Sequence, residues 1–256
     1  MPFGVLGMSK FYYDLHIHSC LSPCGDEDNT PNNIAGMAAL CEIDIVALTD
    51  HNTARNCPAF FKAAEKHGIV AVAGMELTTS EDIHVVCLFE KLDDAMEFDR
   101  YVDGLRFKIK NKPEIFGEQL LLDGDDEVIG REEYLLTNAT ALSIDELPEA
   151  VSRFGGICFP AHIDRLSNGI VGILGALPPT PDFQVVELNS RDKLTEYTEK
   201  FGLSDKRVLI SSDAHYLTDM RDKENFLELD APRSDPDAVR RELFKYLGGQ
   251  DEGNIS

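Results

Sequence analysis

Short apolar runs rich in Val and Ile recur along the chain at residues 12–18, 43–49, 69–76, 84–89, 157–161, 183–188 and 208–212. Their length and β-branched content predict seven strands. Between several of them, apolar residues recur every three to four positions and helix end signals appear. Thr30 before Pro31 predicts an N-cap followed by a first-turn proline, with Ile34, Met37, Ala38 and Cys41 as the apolar stripe. Residues 58–67 predict a second helix, closed by Gly68 where a left-handed turn is needed. Ser234-Asp235-Pro236 opens a C-terminal helix that Gly248-Gly249 stops. Strands interleaved with helices place the chain in the α/β class, as a barrel or an open parallel sheet.

The alternation fails between about residues 93 and 149. Residues 93–110 read as helical, and residues 120–130 hold a polar turn between apolar flanks, the pattern of a β-hairpin. This stretch is expected to be an insertion or subdomain over one face of a single domain spanning residues 10–256. The sequence has no internal repeat and no low-complexity tract.

Composition narrows the function classes. Of 256 residues, 43% are hydrophobic, which excludes a disordered tail protein. Acidic residues outnumber basic ones by 46 to 24, for a net charge of −22. A surface of that sign repels polyanions at long range, so extended duplex nucleic acid and anionic membranes are disfavoured partners. A small phosphorylated substrate stays compatible if metal ions supply positive charge. No stretch approaches the roughly 18 apolar residues that span a bilayer. Residues 1–7 lack the basic start of a secretory signal and read as a loose terminus, with Met8 as an alternative start. Six cysteines without an export signal then suggest reduced thiols and a cytoplasmic chain. Cys87 and Cys158 lie in apolar contexts, whereas Cys24 lies in a polar loop soon after two histidines.

The chemistry gathers at strand ends. His16 and His18 are two apart on a strand, so both rings leave the same face and could hold one metal. Other strands end in Asp50-His51, Glu76, His162-Ile-Asp164 and Asp213-Ala-His215. In a parallel barrel these C-terminal ends meet at one rim. His84 opens its strand instead. If residues 78–82 form a tight turn, that strand runs antiparallel and His84 returns to the same rim beside Glu76. Of the seven histidines, only His67 is left out. Any one of these residues could be a satisfied core histidine or a cap; several strands ending this way for unrelated reasons is the less economical reading.

The order of motifs resembles the polymerase-and-histidinol-phosphatase, or PHP, family of metallohydrolases. The pieces that carry it are Asp14-Leu-His16-Ile-His18-Ser19, Thr49-Asp50-His51-Asn52, Gly74-Met-Glu76, His84, Pro160-Ala-His162 and Ser212-Asp213-Ala-His215. The resemblance implies a distorted seven-stranded β/α barrel, up to three divalent metal ions such as zinc, manganese or iron, and phosphoester hydrolysis. Carried over by position, it implies one metal on His16, His18, Glu76 and Asp213. A second would lie on Glu76, His84 and His162, and a third on His51 and His215. Many relatives complete the third site with a further His or Asp; here Cys24 or Asp26 stands in that place, and Cys24 is the expected ligand. A thiolate would favour zinc or iron, a carboxylate manganese or magnesium.

Around these ligands, Asp50 and Asp14 could orient imidazoles. Asp164 is a candidate acid for the leaving group, and Arg165 and Arg191 could clamp a phosphate. Three functions follow: a phosphoesterase acting on a monoester, nucleotide or cyclic diester; another metallohydrolase on the same scaffold; or a metal-stabilised binding module without turnover. A proofreading nuclease within a polymerase is disfavoured, because no polymerase segment is present. Substrate choice would reside in residues 93–149 and the rim loops.

Overall fold

The structure is a computed structural model that describes residues 8–249, so the reading of residues 1–7 lies outside it. The apolar runs become β1 (Ser9–Ile17), β2 (Ile45–Leu48), β3 (Val70–Thr78) and β4 (His84–Phe89) in the first half of the chain. Further on, the residue 157–161 run becomes β7 (Gly156–Pro160), and the last two become β8 (Val185–Leu188) and β9 (Arg207–Ile210). A short edge strand, β10 (Phe226–Leu229), joins them, paired antiparallel with β1. The order β10-β1-β2-β3-β4-β7 forms one curled six-stranded sheet, and β8 and β9 pair in parallel as a separate ladder. The fold is therefore α/β with a curled half-barrel sheet, in keeping with the expected distorted β/α barrel, while β8 and β9 lie outside the continuous hydrogen bonding of the main sheet.

Helix ends follow the sequence signals. Thr30 caps α1 (Pro31–Leu40) by accepting the Asn33 amide. Gly68, at φ 71°, closes α2 (Cys57–His67). Asp235 caps the C-terminal α6 (Pro236–Leu247) through the Ala238 amide. The reading of residues 93–110 as helix holds only for α3 (Leu92–Asp103); Gly104 ends it, and Arg106 and Lys110 then bridge to Thr140 and Tyr134 as extended chain.

Two apolar layers fix which way each strand residue points. An outer cluster packs α1, α2 and α3 against the sheet through residues such as Ile34, Phe60 and Phe98. An inner cluster includes Phe11, Val72, Val86, Val185 and Leu209, joined by Val239, Leu243 and Leu247 of α6. Because strand side chains alternate, inner-facing Val70 and Val72 put Gly74 and Glu76 on the same inner face of β3. Val86 does this for His84 on β4, and Val185 for Glu187 on β8.

In β1 the alternation changes phase. Asp14 pairs with Val46 and Ile17 with Leu48, three steps against two, so the strand bulges between them. Below the bulge Phe11 and Tyr13 face inward; above it Ile17 joins the outer cluster while His16 and His18 turn in.

The remaining elements of residues 93–149 are the short α4 (Pro113–Phe116), the hairpin of β5 (Leu120–Leu122) and β6 (Val128–Arg131), and the start of α5 (Leu147–Arg153). Backbone and asparagine side-chain hydrogen bonds tie this segment to the loops after β1 and β2. The Leu120 amide donates to Cys20 O, Asn56 Nδ2 to Leu120 O, and Asn52 Nδ2 to Leu136 O. It therefore lies against the stretches that carry His18 and His51.

Candidate metal centre

Six histidines, Glu76 and Asp213 meet where β1, β2, β3, β7 and β9 end and β4 begins. The tight turn after β3 pairs Thr78 with His84, which brings His84 back to Glu76 as the sequence predicts. His162 (φ 27°) and Asp213 (φ 53°) take left-handed backbone just past their strands. Such conformations cost roughly 1–3 kcal/mol each and persist where the surroundings impose them, commonly at functional sites.

Glu76 is 1% exposed and lies at the middle of the group. Its Oε1 is 2.8 Å from His84 Nδ1, 2.9 Å from His162 Nε2 and 3.3 Å from His16 Nε2. Its Oε2 is 3.0 Å from His51 Nδ1 and 3.3 Å from His18 Nε2. Asp213 Oδ1 lies 3.1 Å from His18 Nε2 and 3.3 Å from His16 Nε2, and those two nitrogens are 3.2 Å apart.

Hydrogen bonding alone does not account for this packing. A neutral imidazole has one N–H, and several of these rings use it elsewhere. His16 Nδ1 faces the acceptor Glu187 Oε1 at 2.8 Å. His18 Nδ1 meets Ser22 Oγ at 2.9 Å, and that hydroxyl donates to Asp50 Oδ1 at 2.7 Å. His215 Nδ1 donates to the Asp213 carbonyl at 2.9 Å. In each neutral ring the Nε2 lone pair is then free, and for His16 and His18 it points into the cluster. Among the described residues, buried Glu76 Oε2 and His51 Nδ1 make no hydrogen bond.

Cations fit this donor set. Metal–ligand bonds of about 2.0–2.1 Å in a tetrahedron separate ligand atoms by roughly 3.3 Å, and the His16, His18, Glu76 and Asp213 atoms lie 3.1–3.3 Å apart where measured above. Two further groups could hold an ion: His51, Glu76 and His84, and His18, His51 and His215, the ligand atoms of each within 4.8 Å of one another. His162 adds its Nε2 to the Glu76 side.

The electrostatics are those of a cation site filled by protons. Burial works against charge on His16, yet Glu187, Asp213 and Glu76 hold it well above its ordinary value. His51 is likewise held well above, against burial, by Glu76 and Cys24. Burial would raise Glu76, but His84, His16 and His51 bring it well below the usual carboxylate range. His84 goes the other way, because desolvation outweighs the pull of Glu76.

Cys24 stands at the surface edge of the cluster. Burial would raise its thiol, but the His51 charge and hydrogen bonds with His215 and His51 bring it down to about 5. The Asp26 carboxylate instead accepts the Asp28 amide within its own loop. All six cysteines are free.

The other rim residues are placed as follows. Arg165, 41% exposed at its side chain, has Nη1 2.6 Å from Asp213 Oδ2. Asp164 accepts the Asn189 and Ser190 amides at 2.8 and 3.1 Å, anchoring the loop after β8. Arg191 Nη2 donates to Asn225 Oδ1, on the approach to β10. Asp50 orients His18 through Ser22, not its neighbour His51. Asp14 accepts the His16 and Ser212 amides and touches no ligand imidazole. Glu187 is absent from the sequence-derived set. Its signal is a lone carboxylate two residues after Val185, on a strand whose apolar neighbours are buried.

Residues 14–176 match the PHP domain. The chain belongs to the PHP domain family. Asp213 and His215 reach the centre from beyond the matched span. Endonuclease Q of Pyrococcus furiosus shares the fold at 17% identity and a TM-score of 0.62, covering 95% of this chain and 57% of that one. Endonuclease Q bound to a 27-mer duplex with an abasic lesion at its active site superposes at 18% identity and 0.62, covering 95% and 58%. A Bifidobacterium adolescentis protein described as a metal-dependent phosphoesterase gives 18% identity and 0.55, covering 91% of this chain and 96% of that one. An uncharacterized protein of Methanocaldococcus jannaschii is 37% identical over 76 residues, 27% of this chain and 44% of its own length. The chain thus spans less than two thirds of that protein and of endonuclease Q.

The duplex complex corrects one expectation. The net charge of −22 was read as disfavouring duplex nucleic acid, yet this same fold holds a DNA duplex at its active site in endonuclease Q. Net charge sums over the whole surface, whereas a duplex senses the potential of the face it meets. No helix among the described residues is long and apolar enough to cross a membrane.

Proposed function

We propose that this chain hydrolyses a phosphate ester at a cluster of up to three divalent ions. The observation that carries the reading is Glu76, whose two carboxylate oxygens face five imidazoles at 2.8–3.3 Å. One position is assigned to His16, His18, Glu76 and Asp213, and a second to Glu76, His84 and His162. The third is assigned to His51 and His215. Ions bound there would polarise phosphoryl oxygens and bring the pKa of a bound water from 15.7 toward about 7.

The protein's own residues prepare that chemistry. Glu187, Ser22 with Asp50, and the Asp213 carbonyl fix three imidazoles so that Nε2 is the free nitrogen, which removes the cost of reorienting them. Arg165 is held by one carboxylate oxygen and is partly solvated, so its guanidinium can turn to a substrate phosphate and bind it bidentately. Arg191 would reach a phosphate only by leaving Asn225. Asp164 would protonate a leaving group only by giving up one of its backbone amides; anchoring the β8 loop is its role in the structure described here.

The substrate is a phosphate monoester, a nucleotide or a phosphodiester. The test is a panel of p-nitrophenyl phosphate, bis-p-nitrophenyl phosphate, a mononucleotide and an abasic-site duplex, with protein carrying zinc, manganese or iron. Turnover abolished by a chelator and restored by the ion supports the reading. Metal-loaded protein inactive on every phosphate ester but active on a carboxylic ester or an amide would favour the non-phosphate hydrolase.

A further inference from the structure

Positive charge is scarce in this chain, yet part of it collects in one place. A cavity of about 420 Å³ beside the loop after β2 is lined by Arg55, Arg100, Arg106, Lys108 and Arg131, a volume that suits a small ligand. Acidic residues outnumber basic ones 46 to 24 in the whole sequence. Here five bases meet only four acids: Asp99, Asp103, Glu132 and Glu133.

Three of those acids are already engaged by the protein. Asp99 Oδ1 accepts the Thr53 hydroxyl at 2.7 Å and the Ala54 amide at 2.8 Å. Glu132 Oε2 takes Arg55 Nη2, while its Oε1 takes the Tyr134 amide at 2.8 Å and lies 3.5 Å from Arg106 Nη2. Asp103 Oδ1 takes both Arg106 Nη1, at 3.1 Å, and Lys108 Nζ. Two carboxylates thus serve three cations, and the Arg106 side chain is only 3% exposed. A desolvated positive charge without full compensation is costly, and a bound anion relieves that cost. Arg131 and Arg100 pair outward with Glu118 and Glu97, at 2.7 and 3.9 Å. Such exposed pairs hold weakly, so both guanidiniums can turn in.

The cavity adjoins the metal centre through the chain itself. Arg55 follows His51 by four residues, so their Cα atoms lie at most about 14 Å apart. Asn52, next to His51, donates to Leu136 O and Asn138 O, on the run that begins with Glu132.

Resting on the phosphoesterase reading above, we propose that this cavity receives a second phosphate group of the substrate, so that the chain acts on molecules carrying one phosphate at the metal centre and another here. Guanidiniums bind phosphate oxygens in a bidentate fork, and a partly buried site strengthens the bond. A bisphosphorylated nucleoside and an oligonucleotide backbone share this chemistry.

Calorimetry on the metal-free full-length protein compares a nucleoside monophosphate, a nucleoside 3′,5′-bisphosphate and octathymidylate. The bisphosphate or the octamer should bind roughly 10-fold tighter than the monophosphate. Lys108→Glu should erase that gain and Glu133→Gln should enlarge it, while both variants, loaded with metal, turn over p-nitrophenyl phosphate as the wild type does. A gain already present with the bisphosphate assigns a small substrate. A gain seen with the octamer alone, with a salt slope reduced by about 1 in Lys108→Glu, assigns a nucleic-acid backbone. Equal affinity for all three, or a gain that neither variant alters, overturns this inference and leaves the function of the metal centre standing. A metal-loaded chain that hydrolyses no phosphate ester overturns that function and the second-phosphate substrate with it. Both variants spare Arg55 and Arg106, whose loss would strip buried Glu132 of a partner, and matching circular dichroism melts separate lost binding from misfolding.

Discussion

Glu187 holds His16 by a 2.8 Å bond from ring Nδ1 to carboxylate Oε1, and the same oxygen accepts the main-chain N–H of His162 at 3.0 Å. One buried carboxylate therefore sets the ring of one candidate ligand and the backbone of another. Glu187→Ala should weaken metal binding about 10–100-fold, and Glu187→Gln, which keeps an acceptor but not the charge, should fall between that and the wild type. Competition with a chromophoric chelator measures both. Unchanged affinity in Glu187→Ala would remove the positioning role.

Glu76→Gln preserves volume but removes the charge that five imidazoles share. If Glu76 bridges two ions as proposed, the variant should lose both of them and all chelator-sensitive turnover, while keeping its far-ultraviolet circular dichroism. Elemental analysis after dialysis checks the first point. Retention of the full metal content would show that the carboxylate does not bridge.

His16 and His51 are held well above their ordinary values in the metal-free protein, and Glu76 well below. The histidines bind protons more tightly folded than unfolded, so their stabilisation is present at low pH and is lost as pH rises through their raised folded values. The Glu76 contribution has the opposite course, present above about pH 4.5 and lost as pH falls toward its depressed folded value. Metal loading must displace the histidine protons. Affinity should therefore rise with pH through neutrality, and calorimetry in two buffers of different ionisation enthalpy should show protons released on binding. Binding without proton release would contradict the charge state derived for this pocket.

Asp14 is pushed up to about 6 by burial, against hydrogen bonds from Ser212 and His16. A buried acid with a raised folded value binds protons more tightly in the folded state, so it lowers stability as pH climbs from about 4 to about 6. Asp14→Asn keeps an acceptor for the Ser212 amide and removes that titration. Metal-free Asp14→Asn should gain on the order of 2–3 kcal/mol relative to wild type between the ends of that window, read from urea midpoints at several pH values. Parallel pH profiles for the two proteins would refute it.

Gly74 marks a close approach of β3 to β4. An added Cβ would lie 2.6 Å from Cys87 O and 2.8 Å from Leu88 Cδ2. Gly74→Ala should destabilise the fold by about 1–3 kcal/mol, and any shift of β3 displaces Glu76 two residues on. Thermal unfolding and metal titration of the same variant would test both effects.

The sequence carried the strands and the ligands further than it carried their assembly. Apolar runs located β1 to β4 and β7 to β9 because buried strands need them, and the tight turn before His84 explained why one histidine opens its strand. The bulge in β1 has no residue signature, since nothing in Asp14-Leu-His-Ile distinguishes a regular pleat from an interrupted one. β10 was missed because Phe226-Leu-Glu-Leu alternates exposed and buried residues on an edge, too short a pattern to stand out. Separation of β8 and β9 from the main sheet depends on hydrogen-bond registers that composition does not encode. Glu187 looked like an ordinary acidic residue until Val185 showed which face is inside. Asp50 is next to His51 in sequence, but the hydroxyl of Ser22 directs it to His18.

The three-against-two step between Asp14 and Ile17 also sets what kind of genetic change this protein can survive. Losing one amino acid from that stretch would leave an even zigzag with both imidazoles still inward, whereas the present residues pleated evenly would turn them out toward α1 and drive an isoleucine into the centre. A one-residue deletion at this point, which elsewhere in a strand turns every later side chain to the other face, is thus a change that the centre's geometry absorbs.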